Sequence, residues 1–287
     1  MWVLFAFGSA FFAGVTSILS KQGIKNVDSN VATALRTIVV LLFSWIMVFV
    51  VGSQNTIYDI SMPTFVFLIL SGIATGASWL CYFKALHLGD VNKVTPIDKS
   101  STVFTMLLAF IFLNENLTLI KVLVMVMIGM GTFLMIEKKE VQSQDLKRNS
   151  WMIYAFGAAI FASLTSILGK VGFQGVESNL GTAIRTIVVL IMAWIVVFVT
   201  KKQDTVKKLD KKSGIFLVLS GFATVGSWLC YYSALQEGPA SIVVPIDKLS
   251  IIITIAFSYL FLKEKLSRKA LIGLFLIVTG TFILLIK

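Results

Sequence analysis

Apolar residues run along this chain in blocks of about 20, the length a helix needs to cross roughly 30 Å of hydrocarbon, and the polar breaks between blocks are short. Read in order, the blocks predict helices near residues 2–22, 31–51, 63–86, 94–113 and 118–136, then 151–171, 180–199, 213–235, 243–262 and 268–286. Ten such helices leave no room for a soluble domain. The prediction is an all-α integral membrane protein. Of 287 residues, 57% are hydrophobic and 14% charged, and the mean hydropathy is +0.91, a balance that a wetted globular surface does not carry. The first block follows Met1 with no Lys or Arg ahead of it, so it is read as a retained helix and not as a secretion signal.

The pattern repeats. At a shift of 149 residues, Thr33 to Leu41 returns as Thr182 to Leu190, Ser71 to Tyr82 as Ser220 to Tyr231, and Pro96 to Lys99 as Pro245 to Lys248. The expected organisation is therefore one five-helix repeat over residues 1–136, a connecting loop over 137–150, and a second repeat over 151–287. Cys81 and Cys230 are equivalent positions inside apolar blocks. They are duplicated core residues and not a disulfide pair.

Five is odd, so the second repeat must enter the membrane from the opposite side to the first. Charge tests this independently. One set of connections holds Lys21 and Lys25, Lys93, the Lys138 to Arg148 stretch, six lysines from Lys201 to Lys212, and the Lys263 to Lys269 stretch, while the other side is nearly bare. By the positive-inside rule the lysine-rich side is cytoplasmic and both termini are extracytoplasmic, as in a multi-pass protein of a prokaryotic inner (plasma) membrane. The same rule explains the formal net charge of +11, so nucleic acid is not an expected partner. Inverted repeats with a binding site at their interface are characteristic of secondary transporters.

Polar side chains inside the blocks follow helical spacing and so share faces. Ser71, Thr75, Ser78 and Tyr82 form one stripe, repeated as Ser220, Thr224, Ser227 and Tyr231; Thr95, Asp98, Thr102 and Thr105 form another, answered by Asp247, Ser250, Thr254 and Ser258. Such stripes either bind helices to one another or line a cavity, and their repetition on several helices favours the cavity. The fifth and tenth blocks are almost wholly apolar. They are expected to face lipid or a partner subunit, through which a homodimer could form.

A charge deep in a span costs about 2.5–3.5 kcal/mol on insertion scales and is a functional candidate by default. Arg36, Asp98 and Lys99, with Trp79 and Tyr82, are placed toward the lysine-rich side; Arg185, Asp247, Lys248, Trp228 and Tyr231 are their equivalents toward the other side. They are read as two charged layers acting as gates, with an ion pair such as Arg36 with Asp98 holding one mouth shut. The alternative is that they snorkel and only fix depth. Each layer sums to one net positive charge, which favours anionic or zwitterionic solutes. Pro96 and Pro245 are expected in the first turns of their helices, and Asp98 and Lys99, being adjacent, are not expected to share a face. His87, equivalent to Gln236, is placed at the interface. No nucleophile–base set, metal cluster or phosphate loop is visible, so no enzymatic activity and no cofactor is expected.

Two five-span repeats, an Arg early in the second helix, and Leu113–Asn114–Glu115–Asn116–Leu117 with Leu262–Lys263–Glu264–Lys265–Leu266 together resemble the EamA family of the drug/metabolite transporter superfamily. The resemblance covers the whole chain. Glu115 and Glu264 correspond to the acidic position of the family's Leu-Gly-Glu element, with Asn114 and Lys263 where Gly is usual; both lie at helix ends, where a structural role is expected. The resemblance implies helices one to four and six to nine around a central cavity, with five and ten peripheral, and transport of amino acids, other metabolites or drugs. It also implies half-length relatives that assemble as antiparallel pairs. The resulting expectation is a secondary transporter, an exporter or exchanger of small polar, zwitterionic or anionic metabolites working by alternating access. The alternatives are a flippase for lipid-linked or amphiphilic substrates and an exporter of cationic drugs.

Overall fold

The computed structural model describes residues 1–23, 28–88, 94, 97–135, 150–262 and 267–285. Over these the chain is helical, with no strand among the described residues. In the first half lie α1 (Trp2–Gly23), α2 (Ser29–Val51), α3 (Met62–Leu88), α4 (Ser101–Phe112) and α5 (Leu119–Leu134). In the second lie α6 (Ser150–Gly172), α7 (Ser178–Val199), α8 (Lys211–Glu237), α9 (Ala240–Lys248), α10 (Ser250–Leu262) and α11 (Arg268–Ile283). Short 3-10 helices, Ser53–Asp59 and Gln203–Lys208, follow α2 and α7. Seven described segments are long and apolar enough to cross a membrane alone, and α5 is a shorter apolar helix of the same kind.

The halves interlock instead of standing side by side. α1 packs on α8, and their equivalents α6 and α3 pack on each other; α2 packs on α7 across the centre, and α5 on α11 at the edge. Small residues make these crossings possible, as is usual where lipid supplies no hydrophobic force between helices. A Cβ added at Gly8 would stand 3.3 Å from the Cys230 sulfur, and one at the equivalent Gly157 would stand 3.4 Å from the Cys81 sulfur. Both cysteines are free and partly buried; they fill the α1–α8 and α3–α6 contacts.

Three expectations change. The fifth and tenth spans do not present all their faces to lipid: a Cβ at Gly131 would lie 2.6 Å from the Gly273 carbonyl oxygen, so α5 and α11 touch backbone to backbone within one chain. Their outer faces, including Leu119, Phe133 and Phe275, are exposed and suit lipid. Pro245 does not begin its helix but lies inside α9, which starts at Ala240. The helix starts early because the Glu115 carboxylate accepts from its first N–H groups, and it ends at Lys248 soon after the proline removes one N–H from the ladder. The ninth span is thus two helices broken at Leu249. The break also bears on the expectation for adjacent charges, since Asp247 and Lys248 line the same cavity at a helix end where regular spacing stops. Pro96, Thr95, Lys93 and Glu264, and the side chains of Lys21, His87 and Ser258, lie outside the described residues.

Candidate functional site

The hydroxyl stripes on α3 and α8 serve both purposes considered for them. Ser78 Oγ donates to the Ala158 carbonyl at 2.9 Å and Ser227 Oγ to the Ser9 carbonyl at 3.2 Å, equivalent bonds that tie α3 to α6 and α8 to α1. Thr75 and Thr165 share a hydrogen bond at 3.3 Å, matched by Thr16 and Thr224 at 3.4 Å. The same four stripe residues, Thr75, Ser78, Thr224 and Ser227, also line a cavity of about 540 Å³.

At one end of this cavity sits Arg185, only 2% exposed. Its Nε donates to Ser71 Oγ at 3.0 Å and Nη2 to Thr75 Oγ1 at 2.6 Å. Its plane lies near two rings, with Cζ 5.2 Å from the Trp228 centroid and 4.8 Å from that of Tyr232, the arrangement of a cation over aromatic faces. Tyr232 in turn stacks on Phe173 at 4.2 Å. Among the described residues no carboxylate lies within ion-pair distance of Arg185, and its Nη1 is buried without a partner. A buried guanidinium with an unused donor is a group that an anion can satisfy by accepting from it.

Around Arg185 the helix ends are fastened. Lys170 Nζ donates to the carbonyls of Leu235 at 2.7 Å and Gly238 at 2.5 Å, at the C-terminus of α8, where a cation is favoured. Gln236 Nε2 donates to the Phe173 and Val176 carbonyls at 2.7 and 3.0 Å. Glu115, from the first half, accepts from the Ala240 N–H at 2.6 Å, the Ser241 N–H at 3.1 Å and the Ser241 hydroxyl. Lys121 lies 4.0 Å from it. The acidic element that resembles the family's motif therefore caps a helix of the opposite repeat.

Arg36, the equivalent of Arg185, lines the other part of the cavity and is partly exposed; its Nη1 donates to Ser20 Oγ at 2.7 Å. No ion pair joins it to Asp98, which lies 4.0 Å from Lys99. Asp247 Oδ1 accepts from Ser9 Oγ at 2.6 Å, and Tyr231 and Ser166 share a hydrogen bond at 2.8 Å. Of the residues singled out from sequence, Arg36, Ser78, Trp79, Arg185, Ser227, Trp228, Tyr231, Asp247 and Lys248 meet in one cavity. Tyr82 packs against the cluster of Ala85, Val94 and Ala155, and Asp98 and Lys99 are not among the residues lining this cavity. Arg36 and Trp79 of the first charged layer thus share one chamber with Arg185, Trp228, Tyr231, Asp247 and Lys248 of the second.

A profile of the EamA-like transporter family matches the chain twice, over residues 1–137 and 149–286. The chain belongs to the EamA-like transporter family. It is a multi-pass membrane protein whose role is the transport of small molecules. An uncharacterized transporter in the cobO 3'region of Sinorhizobium sp is 40% identical over 134 residues, which are 47% of this chain and 95% of that protein; that relative has the length of one repeat. An uncharacterized protein of Methanocaldococcus jannaschii, MJ1333.1, is 43% identical over 79 residues, 27% of this chain and 57% of its own. One crystal structure, described only as that of a protein, superposes with a TM-score of 0.78 at 16% identity, covering 99% of this chain and 96% of the other. That likeness is one of fold.

Ser9, Ser20, Ser166, Lys170, Tyr232 and Gln236 belong to the site or its fastening and escaped the sequence reading. Lys170 could have been found as a basic residue in the last turn of an apolar helix. The partners of the others are residues far away in the chain, so no local pattern marks them.

Proposed function

We propose that this EamA-like protein moves small anionic or zwitterionic metabolites, amino acids among them, by alternating access between its two inverted halves. The observation that carries this is the buried Arg185 guanidinium in the wall of a hydroxyl-lined chamber, with one nitrogen unpaired. Arg36, Arg185 and Lys248 against Asp247 give the chamber lining three cations and one anion. A carboxylate is received at Arg185, and an ammonium group is tolerated beside Asp247 and the rings of Trp228 and Tyr231. An organic cation meets net repulsion. With the lysine-rich side cytoplasmic, the fastened Arg185 end is the outer mouth and the Arg36 end faces the cell interior. An exporter loads its solute in this state.

A thermal-shift screen of the purified protein tests the reading, because a ligand of the folded state raises its stability by mass action. Amino acids or organic anions are expected to stabilise wild-type protein and to lose that effect in Arg185→Gln, with radiolabelled flux in proteoliposomes following the same order. Stabilisation by organic cations or lipid analogues alone would replace this proposal with drug export or lipid flipping.

A further inference from the structure

A second cavity, of about 390 Å³, lies between the fourth and ninth spans and the α5–α11 pair. Both members of three equivalent pairs line it: Lys99 and Lys248, Thr102 and Ile251, Ile128 and Ile277, each separated by 149 residues. A cavity lined by both members of such pairs straddles the axis that exchanges the halves. Duplication has therefore brought two copies of one lysine to the lining of a single cavity.

Among the described residues no carboxylate lines this cavity. Asp98 stands 4.0 Å from Lys99 at its margin, and Asp247 is turned away, accepting from Ser9 and lining the central chamber. Hydroxyls complete the polar lining: Ser17, Thr102, Thr132, Ser250 and Thr254, with Thr102 only 2% exposed. Two like charges lining one space repel, an anion between them offsets that repulsion, and the hydroxyls of Thr102, Thr132 and Ser250 are further donors for it. The volume is that of a small-ligand site.

We propose that this cavity on the pseudo-twofold axis is a second ligand site that takes an oxyanion group, a phosphate or carboxylate, between Lys99 and Lys248. Ile128, Met135, Ile251 and Ile277 flank the site and receive the apolar part of an amphiphilic anion. The group can come from an anionic lipid headgroup or from a soluble anion. Ser17 and Lys248 line both cavities, so occupancy here bears directly on the wall of the central chamber.

The test uses the full-length protein with two probes. Inorganic phosphate is titrated by thermal shift, and retention of phosphatidylglycerol against phosphatidylcholine is read by native mass spectrometry from mixed vesicles. Lys99→Gln removes one cation, and Thr132→Leu fills the space while leaving both charges. Binding of at least one probe is expected in wild type, weakened at least about tenfold in both variants and retained in Arg185→Gln, whose side chain lines only the central chamber. A response to phosphate identifies a soluble anion as the source, and selective retention of phosphatidylglycerol identifies lipid. Unliganded melting temperatures confirm that each variant is folded. Failure of both probes to bind wild type, or binding unchanged in either folded variant, overturns the proposal.

Discussion

Arg36 and Arg185 are the same residue of one duplicated helix, yet they stand in different surroundings. Arg185 is buried, bonded to Ser71 and Thr75 and set against Trp228 and Tyr232, whereas Arg36 is partly exposed and bonded to Ser20. The equivalent hydroxyls, Ser220 and Thr224, donate to the Leu217 and Ser220 carbonyls, and Arg36 donates to Ser20 instead. Two sequence differences coincide with this. Where the first half has Ser20 the second has Gly169, and where the second has Tyr232 the first has Phe83. A Cβ at Gly169 would stand 2.9 Å from the Tyr232 ring, so the glycine is what lets the tyrosine close over Arg185. Two duplicated halves therefore hold one arginine buried and the other partly exposed, and Ser20 against Gly169 and Phe83 against Tyr232 are among the positions at which the copies differ.

The strongest way to break this comparison is to remove each arginine in turn. Arg185→Gln forfeits two hydrogen bonds from a charged donor, about 1.5–3 kcal/mol each, and is expected to lower flux by about 100-fold or more, against less than about tenfold for Arg36→Gln. Equal losses in proteoliposomes would mean that the two ends do not differ in function. Gly169→Ser comes next. Crowding Tyr232 should cost about 1–3 kcal/mol, visible as a lower melting temperature and as faster maleimide labelling of a cysteine placed at Ser71 in a cysteine-free background.

Glu115→Gln sharpens the comparison at the fastened end. Loss of the charge at the N-terminus of α9 should cost about 1 kcal/mol and lower the melting temperature by about 2–4 °C; an unchanged melting temperature would remove the cap from the account. The smallest effect is expected of Ser20→Ala, about 0.5–1.5 kcal/mol for one hydrogen bond. It should change apparent solute affinity by no more than about tenfold and leave the melting temperature close to that of wild type. A collapse of stability in this variant would show that Ser20 holds the architecture and not only Arg36.

Much of the fold could be read along the chain because bilayer physics acts on local composition: a span must be apolar for about 20 residues, and a duplicated unit with an odd number of spans must invert. Arg36, Arg185, Asp247 and Lys248 stood out for the same reason, as charges inside apolar blocks. Their partners did not. Along its own segment Pro245 reads as a helix start, whereas the carboxylate that begins α9 earlier lies 125 residues from Ala240.

By itself, then, the sequence determined the helices, their pairing into two inverted repeats and which residues carry charge into the membrane, since each follows from hydropathy, spacing and loop charge along one segment. Tertiary structure alone decided that Arg185 is clamped while Arg36 is not, that Glu115 caps a helix of the other repeat, and that Lys99 and Lys248 share a cavity. Those outcomes depend on how α1 and α6 seat against the opposite half, a matter of contacts between residues far apart in the chain.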